Sequence, residues 1–387
     1  MYALRLIVKN ALRHKLRTAL TVLGLVVATF AFGLVQTVID AWYAGAEGAS
    51  NTTLVTRNKT SLVFPLPLAY QARIRAIDGV SGVGYANWFQ ATYKNPNNFF
   101  AQFAISGKSY LNIYPDYLLP DADRAAFLHD RKGAIVGRKL ADQYGFKVGD
   151  VIPLKGTIYP GQWELVVRGI YDGKQESTNT ATLFFHWDYL NETMLKVSPR
   201  RANQIGVYVV QIDQPENAAA ISADIDKQFN NSLAETLTET EKAFQLGFVS
   251  MSEAIVVAIR VASFVIVLII AAVMANTMAM SARERLREYA TLKALGFGPG
   301  FLALMIFGES LLLSLVGAAI GIALLFPFAR WFGHVVGTLF PVFAVSALTV
   351  LQQVLAAVGV GVGAVAALAP TVRAARVKIV DGLRSIG

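Results

Sequence analysis

Four long apolar runs constrain this chain more than any other feature of its sequence. They cover residues 18–39, 255–280, 301–326 and 345–369. A helix needs about 20 apolar residues to cross the ~30 Å hydrocarbon core of a bilayer. Charged residues make up 16% of the chain, whereas ~25% is typical of soluble domains. The sequence therefore predicts an α-helical membrane protein with four transmembrane helices.

The charges divide the chain into two parts. Residues 42–250, here called the insert, contain 20 Lys and Arg and 20 Asp and Glu, so the net charge of +9 belongs entirely to the remainder. A nucleic-acid-binding protein would carry its basic face on the soluble part. Basic residues next to apolar runs instead indicate the positive-inside bias of membrane proteins. This distribution predicts contact with membrane lipids and no nucleic-acid partner.

Counting basic residues in the loops predicts the topology. Residues 1–17 hold five, residues 281–297 hold four and residues 370–387 hold four, whereas 327–344 hold only Arg330. Both termini and the 281–297 loop are therefore expected in the cytoplasm. The expected segments are a cytoplasmic amphipathic helix (1–17), span 1 (18–41), an extracytoplasmic domain (42–250), a stalk and span 2 (251–280), a cytoplasmic helix (281–300), span 3 (301–326), an outer loop (327–344), span 4 (345–369) and a cytoplasmic tail (370–387).

The first 17 residues combine five basic residues with an apolar face and contain no acid. This pattern predicts an amphipathic helix lying on the anionic inner leaflet. The alternative is a signal peptide, because a charged segment precedes an apolar run. The run is long for that purpose, and no small-x-small cleavage site follows it.

The sequence predicts that the insert is a large α+β domain of two lobes. Turn signals separate expected strands at 83–93, 100–106, 164–171 and 205–212 from expected helices at 66–77, 138–145, 187–195 and 215–230. Its aromatic residues have strand spacing and are expected in the core, with a hydrophobic binding groove as the alternative. These are Trp88, Phe89, Tyr93, Phe99 and Phe100.

A charged island, residues 281–297, separates the second and third apolar runs. Its apolar residues recur at helical spacing, and Gly296 and Gly298 follow as helix-ending signals. A short charged helix between two spans lies at a membrane face, where it can contact a soluble partner. The candidate contact residues are Arg283, Glu284, Arg285, Leu286, Glu288, Tyr289, Leu292 and Lys293.

Residues 276–296, NTMAMSARERLREYATLKALG, resemble the coupling-helix signature of one family of ABC transporter permeases. The family includes the MacB, FtsX and LolC types, which are the permeases of macrolide exporters, the cell-division protein FtsX and lipoprotein-release systems. Residues 10–24 are similar to the family's first span, and 370–384 to its C-terminal end. Residues 133–154 resemble a stretch of its extracytoplasmic domains, and this resemblance implies that they form the smaller lobe.

The resemblance implies a permease that couples ATP hydrolysis in separate ATPase subunits to movement of its periplasmic domain, a process called mechanotransmission. It also implies a location in the bacterial inner membrane, a dimer with a second copy or paralogue, and a periplasmic adaptor and outer-membrane channel as further partners. ATP and Mg would be bound by the partner ATPase. The alternatives are an FtsX-like signal transducer that controls a cell-wall hydrolase and a lipoprotein-release permease.

The sequence offers no support for catalysis in this chain. The P-loop pattern for nucleotide binding is absent, and the four histidines have no metal-ligand spacing. The chain has no cysteine, which excludes thiol chemistry. We therefore expect no catalytic, cofactor-binding or metal site here, and we expect the ATPase activity in a partner.

The third apolar run contains one acid, Glu309. It lies ~12 Å along the helix from residue 301, and an acid at that depth usually faces other helices or water. We expect Glu309 to form a packing contact with a neighbouring helix, unless it reaches the inner interface. Gly317 and Gly321 form a small-x-x-x-small face that permits close helix packing, as do Gly359 and Gly363.

Overall fold

The computed structural model describes residues 2–11, 13–47, 49–95, 98, 100–175, 178–251, 253–336 and 361–376. These form two compact units. The membrane unit is helical and contains the described residues of 1–40, 253–331 and 361–376. The insert domain contains the described residues of 41–251, and residues 332–336 are grouped with it. The helices are α1 (Tyr2–Ala11), α2 (Lys15–Glu47), α3 (Tyr70–Arg75), α4 (Gly107–Ile113), α5 (Asp121–His129), α6 (Arg138–Tyr144), α7 (Trp187–Val197), α8 (Ala218–Gln228), α9 (Glu241–Met251), α10 (Glu253–Glu284), α11 (Leu286–Ala294), α12 (Pro299–Val336) and α13 (Gly363–Arg376).

Three helices in the described part of the chain are long and apolar enough to cross a membrane. Their spans are Lys15–Asp40, Glu253–Glu284 and Pro299–Phe332. The expected fourth span, 345–369, lies mostly outside the described residues, which resume at residue 361. The helix of the third span continues to Val336, well into the segment that the sequence predicts as a loop. Apolar residues beyond position 326 allow the helix to extend.

The N-terminal segment is two helices and not one. α1 ends at Ala11 and α2 begins at Lys15, with a turn at residues 13–14. The stalk is likewise helical: α9 begins at Glu241, and α10 starts at Glu253.

The strands of the insert domain form one mixed eleven-stranded sheet and a two-stranded ribbon. The strands are β1 (Thr53–Asn58), β2 (Leu66–Pro67), β3 (Val80–Trp88), β4 (Ala91–Tyr93), β5 (Ala101–Ile105), β6 (Tyr117–Leu118), β7 (Gly133–Gly137), β8 (Val151–Gly156), β9 (Gly161–Gly173), β10 (Thr182–His186), β11 (Gln204–Ile205), β12 (Val207–Ile212) and β13 (Thr236–Thr240). Their order in the large sheet is β13-β1-β12-β3-β5-β10-β7-β9-β8-β4, with β6 paired to β9, and β11 pairs with β2 in the ribbon.

The strand sequences agree with their positions in this sheet. All residues of β7 and β10 are buried, as expected for apolar strands covered on both faces. β8 alternates between exposed and buried residues, as expected for a strand with one solvated face. β7 and β8, which lie in the predicted smaller lobe, belong to the same sheet as β1 and β12.

The core of the insert domain contains most of the aromatic residues singled out from the sequence. Phe89, Tyr93 and Phe100 are buried, and Phe89 packs edge-to-face on Phe185 with ring centroids 4.9 Å apart. Trp88 is more exposed and packs on Phe103, while Phe99 lies outside the described residues. The three buried rings are therefore core residues and do not line a groove.

Candidate functional site

The charged island is divided between two helices that meet at Arg285. Residues 281–284 are the last turn of α10, and α11 begins at Leu286. Arg285 has φ −100° and ψ 10°, which interrupts the helical path. α11 ends as expected: Gly296 adopts φ +90°, a left-handed conformation that favours glycine. Pro299 then occupies the first position of α12, where its missing N–H has no cost.

Arg285 is buried at this junction and joins three segments of the membrane unit. Its side chain is 5% exposed, and that of Glu309 is 10% exposed. The Arg285 Nη1–H group donates to Glu309 Oε2 at 2.8 Å, and Nη2–H donates to the carbonyl oxygen of Asn10 at 2.8 Å. One guanidinium therefore connects the α10–α11 junction to α12 and to the end of α1.

Two further ion pairs fix the turn between α1 and α2 to the island. Arg17 donates two hydrogen bonds to Glu284, at 2.8 and 2.7 Å, in the bidentate geometry that makes such pairs strong. Arg13 pairs with Glu288. Both glutamates of the island thus have partners within the chain. That these glutamates alternate with cations to contact a soluble partner stays a prediction.

Part of the predicted contact surface is buried in the structure. Arg285 and Tyr289 are buried, and Leu292 is half-buried against a small core that contains Leu302 and Ile306. Burial raises the pKa of Tyr289 to about 12. In this conformation these side chains are unable to form a docking surface. Their packing instead holds α11 against α12.

The exposed residues at the end of α10 and along α11 include part of the predicted set. Arg283, Glu284 and Glu288 are exposed, as is Arg287, and Leu286 and Lys293 are half-buried. Beyond the predicted set, Leu295 is 70% and Phe297 41% exposed. The two exposed arginines lie near the start of α11, and the two exposed apolar side chains follow its end. We call Arg283, Arg287, Leu295 and Phe297 the α11 face.

Gly317 and Gly321 both face α2. A Cβ added at Gly317 would lie 2.5 Å from the Leu25 Cβ, and one added at Gly321 would lie 2.7 Å from the Thr29 Cβ. Both distances are shorter than real side chains tolerate, so only glycine allows α2 and α12 to approach this closely. Gly363 of the second glycine pair contacts Ser314, and Gly359 lies outside the described residues.

Sequence reasoning did not identify Asn10, Arg13 and Arg17 as members of this site. Arg13 and Arg17 were assigned to lipid contact as part of a basic helix. A signal was nevertheless available, because residues 1–17 have five cations and no acid while the island holds two glutamates. Pairing over a separation of 267 or more residues is not specified by such composition alone.

A second polar cluster lies in the insert domain, where the chain enters and leaves it. Glu241, the first residue of α9, accepts a hydrogen bond from the Tyr114 hydroxyl at 3.0 Å and one from the Ser50 backbone N–H at 3.3 Å. Burial raises the pKa of Glu241. The carboxylate thus joins the two chain connections to α4, which precedes Tyr114. Among the described residues, no group of His, Asp and Glu side chains has an arrangement that could hold a metal ion.

Comparison with known proteins places these features in a family. The profile of the MacB-like periplasmic core domain matches residues 18–228, and that of the FtsX-like permease C-terminal region matches residues 260–378. A search of curated protein sequences found no match to this chain.

Two solved structures resemble the chain more distantly. One is the extracellular domain of the noncanonic ABC-type transporter YknZ from Gram-positive bacteria, with 13% identity and a TM-score of 0.36 over 49% of this chain and 100% of that one. The other is a domain of a protein described as a permease, from Porphyromonas gingivalis, with 11% identity and a TM-score of 0.33 over 49% of this chain and 88% of that one.

Apolar spanning helices and matches to both halves of a permease define a membrane permease of the ABC-transporter type with a periplasmic domain. The chain belongs to the MacB/FtsX-like permease family. The family that the sequence resembles is therefore confirmed. Membership of this family implies an ATPase partner.

Proposed function

We propose that this chain is the permease subunit of an ABC transporter that works by mechanotransmission in a bacterial inner membrane. A separate ATPase hydrolyses ATP, and the permease passes the resulting movement to its periplasmic domain to export or extract a substrate. Both termini and α11 face the cytoplasm, and two permease copies or paralogues work together. This chain contributes no catalytic group and no cofactor, because ATP and Mg are bound by the ATPase.

The connection of α11 to four other helices is the observation that carries this proposal. Arg285 joins the α10–α11 junction to α12 and α1, and Arg17 joins the end of α10 to the start of α2. A displacement of α11 by a partner would therefore act on α1, α2, α10 and α12 together. Such coupling is what a protein needs if it transmits movement and does not itself perform chemistry.

The α11 face is the proposed ATPase contact. Its two arginines offer charge to acidic groups of the partner, and Leu295 and Phe297 offer apolar area. The match of the insert to the MacB-like periplasmic core supports export or extraction over FtsX-like control of a hydrolase. An adaptor and an outer-membrane channel would complete an efflux route.

The test is co-purification of the ATPase with the full-length chain from the membranes of the cells that produce it. The readout is Mg²⁺-dependent ATP hydrolysis in the eluate. Leu295→Asp should weaken the association by about tenfold or more, because a buried leucine contributes ~1.5–3 kcal/mol. Leu233→Asp is the matched control, since Leu233 is also exposed but lies in the insert domain.

The proposal fails if ATPase activity elutes equally with wild type and Leu295→Asp, or if none elutes with wild type. Replacing Glu284 and Glu288 would be a weaker test. These residues pair with Arg17 and Arg13, so their loss would disturb the permease itself.

A further inference from the structure

A cleft between α2 and α10 lies beside the site described above. One cavity of about 600 Å³ lies at the start of α2 and is lined by His14, Lys15 and Arg17 together with apolar side chains such as Leu20 and Val273. A second cavity of about 390 Å³ follows along the same helices and includes Leu23, Val27 and Ile270. The two share Leu20, Thr21 and Val273 in their walls. We call them together the α2–α10 groove.

The groove is polar and basic at one end and apolar along the rest. Lys15 is exposed, and no ion pair is formed by it with another described residue. Arg17 is paired with Glu284, so Lys15 is the cation that offers its charge to a ligand at this end of the groove. The first backbone N–H groups of α2 add partial positive charge at the same end.

The apolar part is an uncovered helix face. Leu16, Leu20, Leu23 and Val27 are 76%, 60%, 58% and 59% exposed, and their spacing places them on one side of α2. Leu268, Ile269 and Val273 of α10 are similarly exposed. Exposed apolar area of this kind requires a cover of lipid or protein.

The length of the groove suits a single lipid molecule. Residues 14–27 of a helix extend ~20 Å, whereas half of the hydrocarbon core is ~15 Å thick. The groove therefore reaches from headgroup level to about the middle of a bilayer. A volume of several hundred Å³ is within the range of specific ligand sites.

We propose that the α2–α10 groove binds one anionic glycerophospholipid. Lys15 and the first backbone N–H groups of α2 hold its phosphate group, and an acyl chain lies between α2 and α10. The bound lipid contacts both helices beside the Arg17–Glu284 pair and so helps to hold them together. The proposal requires a membrane but neither an ATPase nor a transported substrate, so its test is independent of the proposed function.

The test uses the purified full-length chain in a neutral detergent. Phosphatidylglycerol and phosphatidylcholine with the same acyl chains are titrated in, and bound lipid is counted by native mass spectrometry. Wild type should prefer phosphatidylglycerol, and Lys15→Glu should weaken its binding by about fivefold or more, as expected for the charge of one lysine near a phosphate. Lys9→Glu is the matched control, because Lys9 is an exposed cation of α1 outside the groove.

Two further variants separate the possible explanations. Val273→Trp fills the groove and should reduce binding of both lipids, while inorganic phosphate should not displace phosphatidylglycerol if the acyl chain contributes. If Lys15→Glu does not fold, Lys15→Gln removes the charge without reversing it. The proposal is overturned if both lipids bind wild type equally or if Lys9→Glu has the effect expected of Lys15→Glu. It is also overturned if Leu20→Cys, in this cysteine-free chain, cross-links efficiently to a second copy in membranes.

Discussion

Arg285 and Glu309 form a buried ion pair that joins the α10–α11 junction to α12. Their charged atoms are 2.8 Å apart, and the arginine also donates to the Asn10 carbonyl. The remaining nitrogen of the guanidinium, Nε, has no hydrogen-bond partner among the described residues. A polar cavity of about 20 Å³ lies beside the pair, which is room for one water molecule.

The first prediction concerns this pair. Glu309→Gln should lower the stability of the purified chain by about 3–5 kcal/mol, because it leaves the Arg285 charge buried without a counter-charge. Replacing both residues, as Arg285→Met with Glu309→Leu, should cost much less, since no charge then remains buried. The measurement is the thermal unfolding midpoint of all three proteins in detergent. Equal midpoints for Glu309→Gln and wild type would contradict the prediction.

The second prediction concerns the contact between α2 and α12. Gly321→Ala should destabilise the protein by about 1–3 kcal/mol, because the new methyl group overlaps Thr29. Gly24→Ala is the control, as a Cβ there meets nothing within 4 Å. It should be neutral or stabilising by up to about 1 kcal/mol, because alanine is the better helix former. The idea is refuted if both variants shift the unfolding midpoint equally.

The third prediction concerns pH and the insert domain. A fragment of residues 49–251 should fold alone and unfold cooperatively. The raised pKa of Glu241 means that its contribution to stability is present below its unfolded pKa, near 4.5, and is lost as pH rises through the folded value. Glu241→Gln should therefore gain stability relative to wild type between pH 4 and pH 8.

Asp172 provides a control, because its pKa is shifted in the opposite direction to that of Glu241. A hydrogen bond from Arg138 lowers the pKa of Asp172 from its usual 3.8. Its contribution is present above the unfolded pKa and is lost as pH falls through the lower folded value. Asp172→Asn should lose stability relative to wild type at neutral pH and approach it in acid. Parallel curves for the two variants and wild type would refute both assignments.

The fourth prediction concerns topology. The natural chain has no cysteine, so single cysteines can be introduced at Ser81 and Ala294, which are both exposed. An impermeant thiol reagent should label Ser81→Cys in cells with a permeabilised outer membrane. Ala294→Cys should react only after the inner membrane is opened. Labelling of Ala294→Cys before that step would reverse the proposed orientation.

Local pattern was sufficient to predict part of the elements of the structure. Three of the four apolar runs are α2, α10 and α12, and the expected strand at 164–171 lies within β9. The expected helix at 138–145 is α6, which ends at Tyr144. These features depend on the spacing of apolar residues over a few turns, which is directly visible in a sequence.

Pairing between distant segments was not predictable in the same way. Sequence spacing placed Tyr289 and Glu288 on a helix, but it gave no indication of which face would turn toward α12 or toward Arg13. The order of strands in the sheet, with β13 beside β1, likewise depends on contacts between residues far apart in the chain. The packing of whole elements determines which faces are buried and which strands pair, and local composition does not specify either.

The pairing of β1 with β13 has a mechanical consequence. The chain enters the sheet at Thr53 and leaves it at Thr240, and Leu54 lies opposite Thr240 in the antiparallel register. The segments before Thr53 and after Thr240, here called the tethers, are therefore attached at the same end of two neighbouring strands. A force on one tether acts along the length of β1 and β13. The hydrogen bonds between the two strands then bear this force together and do not break one after another. Equal forces on both tethers put no force on the hydrogen bonds between β1 and β13, and the sheet moves as one unit.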